Sequence, residues 1–103
     1  MKVAFACDHG GFVYKEAVIQ HLKEKGIEVL DFGTFSLDSC HYPLFAFQAA
    51  EAVRDKKADR GILICSSGEG VMMCANKVKG IRCGLGYDDD CSHLIVEHNH
   101  AQM

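Results

Sequence analysis

Short apolar runs take turns with segments of helical periodicity along this chain, each run closing in a cluster of small polar residues, and that order admits few folds. Lys2 to Cys7 holds Val3, Ala4, Phe5 and Ala6 without internal alternation and ends in Asp8-His9-Gly10-Gly11, the pattern of a parallel strand buried on both faces. Phe12 to Lys25 carries Val13, Ala17, Val18 and Leu22 at helical spacing, with Gly26 where a C-terminal cap belongs. Ile27 to Asp31 reads as a second strand. A loop leads to the single proline, Pro43, and to a helix over Tyr42 to Lys56 with Phe45, Ala49, Ala52 and Val53 on one face. Gly61 to Cys65 is the most apolar run and the expected central strand.

A turn of small residues, Ser66-Ser67-Gly68-Glu69-Gly70, then opens onto a helix over Val71 to Lys77, followed by a short strand at Ile81 to Leu85 and a helix over Asp88 to Glu97. Asp88-Asp89-Asp90 suits the positive end of that helix dipole. Strands alternating with helices predict a parallel sheet with right-handed crossovers and helices on both faces: an α/β, Rossmann-like, three-layer architecture. After the last helix the chain reads His98-Asn99-His100-Ala101-Gln102-Met103, where a further β-α unit is expected, so the last strand and the C-terminal helices of such a fold are expected to be missing. At 103 residues the expectation is one domain, spanning 1–103.

Hydrophobic residues at 49% and charged residues at 24% fit a globular chain, and a net charge of −3 argues against a nucleic-acid partner. No apolar run reaches membrane-spanning length, and the N-terminus lacks the pattern of a secretory signal, so a cytoplasmic protein with free thiols and no membrane partner is expected. The cysteines Cys7, Cys40, Cys65, Cys74, Cys83 and Cys91 form no CxxC pair and match no zinc module, so no metal site is expected.

In an open parallel sheet, ligands bind beyond the carboxyl ends of the strands, where Asp8-His9-Gly10-Gly11 and Cys65 to Gly70 both fall. A small-residue turn entering a helix offers backbone N–H groups to an anion or a developing oxyanion. Its spacing fits neither the Walker nor the dinucleotide pattern. Cys65 stands beside a helix N-terminus, a setting in which thiols serve as nucleophile or base, although a small buried residue closing a strand is the plainer alternative. Cys7, Cys74 and Cys83 keep that plainer reading. Ser67 reads both as the N-cap of the next helix and as a hydroxyl donor. Glu69 is an alternative base, but between glycines it is expected to face solvent. His98 at a helix end suits the negative dipole as readily as it suits chemistry.

Three separated segments agree in order and spacing with one family: Ala6 to Gly11, Gly61 to Gly70 with Ala75-Asn76-Lys77, and Glu97-His98-Asn99. Gly33-Thr34, His41-Tyr42-Pro43 and Lys79-Gly80-Ile81-Arg82 add to the match. On these motifs the chain resembles the ribose-5-phosphate isomerase B and galactose-6-phosphate isomerase group. The resemblance implies interconversion of a phosphorylated aldose and ketose through a cis-enediolate, without metal or cofactor. It implies Cys65 as the base, Ser67 as the residue steadying the enediolate with the loop N–H groups of Ser66, Gly68, Glu69 and Gly70, and Asp8 with His98 as the ring-opening pair. His9, Tyr42 and Asn99 are implied as substrate contacts, with His98 and Asn99 reaching across a homodimer interface. Ser66 stands where the family usually has glycine. Family members also continue through a further strand and helices that supply phosphate-binding arginines, which Arg54, Arg60 and Arg82 do not match. A short chain of this kind is therefore expected to be a weak or inactive isomerase that self-associates. A noncatalytic module of the same family and a galactose or allose 6-phosphate isomerase are the alternatives, ahead of a cysteine-based redox or phosphatase enzyme.

Overall fold

A computed structural model describes residues Met1–Met103. Its elements run β1 (Lys2–Cys7), α1 (Phe12–Glu24), β2 (Glu28–Asp31), α2 (Tyr42–Arg54), β3 (Arg60–Ile64), α3 (Glu69–Asn76) and α4 (Asp89–Glu97). The three strands form a parallel sheet in the order β2-β1-β3, with Val3 opposite Val29 on one side and Arg60 on the other. Because the chain steps from β1 outward to β2 and then back across to β3, right-handed crossovers put α1 and α2 on opposite faces.

Small side chains set how closely α2 lies on the sheet. Ala4 and Ala6 of β1 meet Ala49, Ala50, Ala52 and Val53 of α2, and Ala75, Val78 and Ile81 close the same core. Alanine against alanine leaves the helix backbone near the strand, and Ala4, Ala49, Ala50 and Ala75 have no exposed surface. Val3, Phe5 and Cys7 alternate with those alanines and point to the other face, where Phe5 is also fully buried.

That second face departs from the helical spacing read in the sequence. Val13 and Ala17 of α1 are exposed, and the residues turned inward are Lys15 and Leu22. Lys15 Nζ lies 2.7 Å from Asp31 Oδ2 at the end of β2, donates to the Thr34 carbonyl at 2.8 Å, and sits 4.0 Å from the centroid of the Phe35 ring. An ion pair with two further partners for the ammonium can occupy a buried position that an apolar-only rule assigns to Val13.

The expected strand at Ile81 to Leu85 is an extended segment outside the regular sheet. Its partner is the chain's own end: Gln102 N–H and Met103 N–H donate to Arg82 O, Gly84 N–H donates to Met103 O, and Gly61 N–H of β3 donates to Gln102 O. Gln102 thus links β3 to the 82–84 segment without adding a strand to the three-stranded sheet. Gln102 alone is bonded on both sides, since Met103 bonds only to Arg82 and Gly84 and Ala101 N–H donates to Ile95 O, so no regular ladder forms and the expected fourth strand is absent. Asn76, at the end of α3, pins the same segment: its side-chain N–H₂ donates to Met72 O and Cys83 O while its Oδ1 accepts from Cys83 N–H.

Gly26, at φ 76°, follows the last turn of α1 as the sequence indicates. Asp88 caps α4, its Oδ1 accepting from Cys91 N–H at 2.7 Å. No helix is long and apolar enough to cross a membrane.

Candidate active site at the carboxyl ends of β1 and β3

Two loops converge where β1 and β3 end side by side. After β1 the chain turns at once, and Asp8 Oδ1 accepts from Gly10 N–H at 2.8 Å and Gly11 N–H at 3.1 Å, an Asx turn that aims the chain into α1. The turn is anchored to β3 by Asp8 N–H donating to Ile64 O at 3.2 Å. Neither glycine leaves room for a side chain: a Cβ on Gly11 would lie 2.5 Å from Ile64 O, and one on Gly10 would lie 2.3 Å from Ser66 Oγ. Asp8 is buried beneath this contact.

After β3 the loop Cys65–Gly68 folds back on its own first residue. Gly68 N–H donates to Cys65 Sγ at 3.1 Å, and Glu69 N–H donates to Ser67 Oγ at 3.2 Å. Gly68 has φ 80°, a left-handed conformation suited to glycine, and it is the N-cap of α3. The helix therefore begins at Glu69, two residues before the expected Val71. Ser67 stands outside the cap position, its hydroxyl oxygen already engaged as an acceptor, so its O–H proton remains free to donate. Glu69 is exposed, as its glycine neighbours indicate. Gly70 and Val71, in the first turn, have N–H groups with no intrahelical partner.

Side chains from two other elements flank this loop. Leu85 packs on Gly68, and the Tyr42 ring from the first turn of α2 packs on Gly70, where a Cβ would meet its Cζ at 2.9 Å. His9 turns toward the loop before α2: its Nδ1 accepts from Cys40 N–H at 3.3 Å. Cys65, Ser66, Ser67 and Gly68 line one end of a cleft of about 570 Å³ whose other walls include Leu85 and Tyr87.

The structure thus brings Asp8, Gly10, Ser66, Cys65, Ser67 and Tyr42 into one region and ties His9 to its edge. It does not bring His98 and Asn99 there. His98 is the C-cap of α4, and both residues line a separate hollow of about 310 Å³ with Asn76 and Arg82, whose Nη1 donates to Asn99 O at 2.9 Å. Within one chain the ring-opening pair expected of Asp8 and His98 is not assembled. Lys15 with Asp31, the Cys40 contact to His9, and the close approach of Gly10 to Ser66 were absent from the sequence reading. The paired glycines after β1 were the only available signal for the last of these.

All six cysteines are unpaired. Burial raises the Cys7 thiol above its ordinary range, partly offset by its hydrogen bond with Thr34 and by the Lys15 charge, and burial pushes Cys83 up to about 11.

The sequence profile described as Ribose/Galactose Isomerase matches residues 3–103. The chain is similar to ribose-5-phosphate isomerase B of Escherichia coli strain K12, with 44% identity over 102 residues that cover 99% of this chain and 68% of that protein. Among solved structures it is similar to ribose-5-phosphate isomerase B of Clostridium thermocellum, at a TM-score of 0.97 and 42% identity, over 99% of this chain and 69% of that one. It is likewise similar to the Mycoplasma genitalium ribose-5-phosphate isomerase B solved with bound ribulose-5-phosphate, at a TM-score of 0.92 and 39% identity, over 98% of this chain and 68% of that one. The match runs through both loops that meet at the carboxyl ends of β1 and β3, and the chain belongs to the ribose/galactose isomerase family.

Proposed function

We propose that this chain is an aldose–ketose isomerase of a phosphorylated sugar, converting ribose 5-phosphate to ribulose 5-phosphate. The observation that carries the reading is the placement of the Cys65 sulfur at the end of β3, in one cleft with a loop that supplies hydrogen-bond donors. The weakly acidic proton on C2 of the open-chain aldose calls for a base beside it and donors at the oxygen that gains charge. Cys65, as thiolate, takes the C2 proton, and the electron pair moves into the C1 carbonyl to give a cis-enediolate. The Ser67 hydroxyl and the free N–H groups at the start of α3 face that oxygen. The proton held by Cys65 returns at C1, the hydroxyl proton of O2 passes to O1, and C2 becomes the ketone carbon. Ser66, Gly68, Glu69 and Gly70 form the loop around the substrate.

Asp8 opens the sugar ring with His98, which comes from a second copy, because within one chain His98 lines a hollow with Asn76, Arg82 and Asn99 that Asp8 does not reach. Tyr42, His9 and Asn99 hold sugar and phosphate oxygens. The working form in this reading is a cytoplasmic homodimer that needs no cofactor.

The test is isomerisation of ribose 5-phosphate together with solvent deuterium exchange at C2, for the wild type and for Cys65→Ala. Loss of both in the variant, with unfolding unchanged, is expected. Wild-type exchange in Cys65→Ala would remove Cys65 as the base, and turnover of galactose 6-phosphate alone would replace the pentose. Full activity from a monomer would remove the partner's His98 from the mechanism.

A further inference from the structure

His9 Nδ1 meets the loop between β2 and α2, where the Cys40 main-chain N–H donates to it at 3.3 Å and Cys40 Sγ lies 3.8 Å away. A peptide N–H only donates, so Nδ1 must offer a lone pair. A neutral imidazole carries its proton on one nitrogen and accepts on the other, and the bond from Cys40 therefore places the proton on Nε2. The Cys40 thiol, a weak donor, faces the same nitrogen and favours the same choice. The loop is well suited to holding this contact. Cys40 directly precedes His41, the extended N-cap of α2, and Pro43 follows in the first turn of that helix. His9 itself continues from the Asx turn that Asp8 locks against β3.

We infer that Cys40 is a positioning residue whose peptide N–H fixes neutral His9 as the Nε2–H tautomer, so that His9 presents a hydrogen-bond donor to an oxygen of the phosphorylated sugar. The tautomer follows from the contact alone; the donor's use on substrate rests on the isomerase reading. The device gives an acceptor-rich ligand a neutral donor at a fixed angle. It also couples the β2–α2 loop to recognition through His9.

The tautomer is read directly from nitrogen-15 labelled protein at neutral pH, with His9 assigned by the resonances lost in His9→Gln. The expected pattern is an acceptor-type Nδ1, a protonated Nε2, and a scalar coupling across the hydrogen bond between the Cys40 amide nitrogen and His9 Nδ1. Cys40→Ala retains the coupling, because it keeps the amide. Cys40→Pro, which lacks the N–H, abolishes it and mixes the tautomers. A protonated Nδ1 in the wild type, or a coupling lost in Cys40→Ala, overturns the assignment. Kinetics supply the second arm, because the side-chain nitrogen of Gln stands near the place of Nε2 and that of Asn near the place of Nδ1. His9→Asn is expected to raise KM for ribose 5-phosphate about tenfold and His9→Gln less than about threefold, with kcat little changed. Equal KM losses in the two variants overturn the donor role. The expected tautomer in a protein that turns over no sugar phosphate would refute the isomerase reading and the donor's use on substrate while upholding the positioning by Cys40.

Discussion

Replacing Gly10 by alanine tests whether the two site loops touch in solution as tightly as they do here. The new Cβ would stand 2.3 Å from Ser66 Oγ, where ordinary contact begins at 3.4 Å, and 3.2 Å from both Ser66 N and Asp8 Oδ1. The hydroxyl can rotate away. The main-chain nitrogen cannot, and Asp8 is held by its two N–H donors, so the loops must part by a few tenths of an ångström. Overpacking of this order costs about 1–3 kcal/mol, and the relief available from the Ser66 rotamer places the expected loss near 1.5 kcal/mol. Because Cys65 adjoins Ser66, the displacement reaches the residue proposed as base, and a fall in kcat/KM of about tenfold to a hundredfold is expected. Gly10→Ala/Ser66→Gly removes the hydroxyl and leaves only the milder contacts, so it should recover much of both losses. Urea denaturation and steady-state kinetics on the two single variants and the double variant measure the coupling. Additive effects, or a Gly10→Ala protein with wild-type stability and turnover, would show that the loops are not in contact.

Ser67→Ala should lower kcat by about tenfold to a thousandfold, the range for losing one oxyanion donor, and unchanged turnover would leave Ser67 only the turn contact to Glu69 N–H. Lys15→Met should destabilise the protein by about 1.5–3 kcal/mol in urea denaturation, because it takes the buried ammonium from a partly exposed Asp31 that keeps only the Gly33 N–H bond. A Lys15→Met/Asp31→Asn cycle with a coupling below about 0.5 kcal/mol would reduce that pair to a surface contact. The raised Cys83 thiol keeps its proton in the folded protein at pH values where the unfolded chain loses it. Stability is therefore full below about pH 9 and declines as pH rises toward about 11. Cys83→Ala should flatten part of that alkaline decline, with Cys7 responsible for a further part in the same direction, and superimposable pH–stability curves would refute the assignment.

Much of the sheet was legible because its signals are local. The unbroken apolar run of β1, the glycine after α1 and the aspartate cap of α4 each carry their instruction within a few residues. The face of α1 was not legible, since Lys15 is buried only by virtue of Asp31, Thr34 and Phe35, all distant in sequence. The strand expected at Ile81 to Leu85 failed for a related reason: its main-chain partners, Gln102 and Met103, lie beyond α4 and bond to it only at Arg82 and Gly84. In the site, Cys65 and its loop could be read from a strand end followed by small residues. The separation of His98 and Asn99 from Cys65 could not, because helical periodicity gives no distance between α4 and β3.

Helix α4 carries no buried residue, and Leu94 and Val96 are each nearly half exposed. Its ties to the rest of the chain are to the 82–86 segment and the turn after it: Ile95 against Gly84, Ser92 against Gly86, the Cys91 thiol on Leu85 O, the Arg82 bond to Asn99 O, and the turn that leads into Ala101. In native-state hydrogen exchange such an element belongs to the least protected class, opening by itself while β1 and β3 stay closed up to global unfolding. His98 and Asn99 then sit on a unit whose opening also removes Ser92 and Ile95 from the cleft wall, and docking against a second copy would register first as slowed exchange in α4.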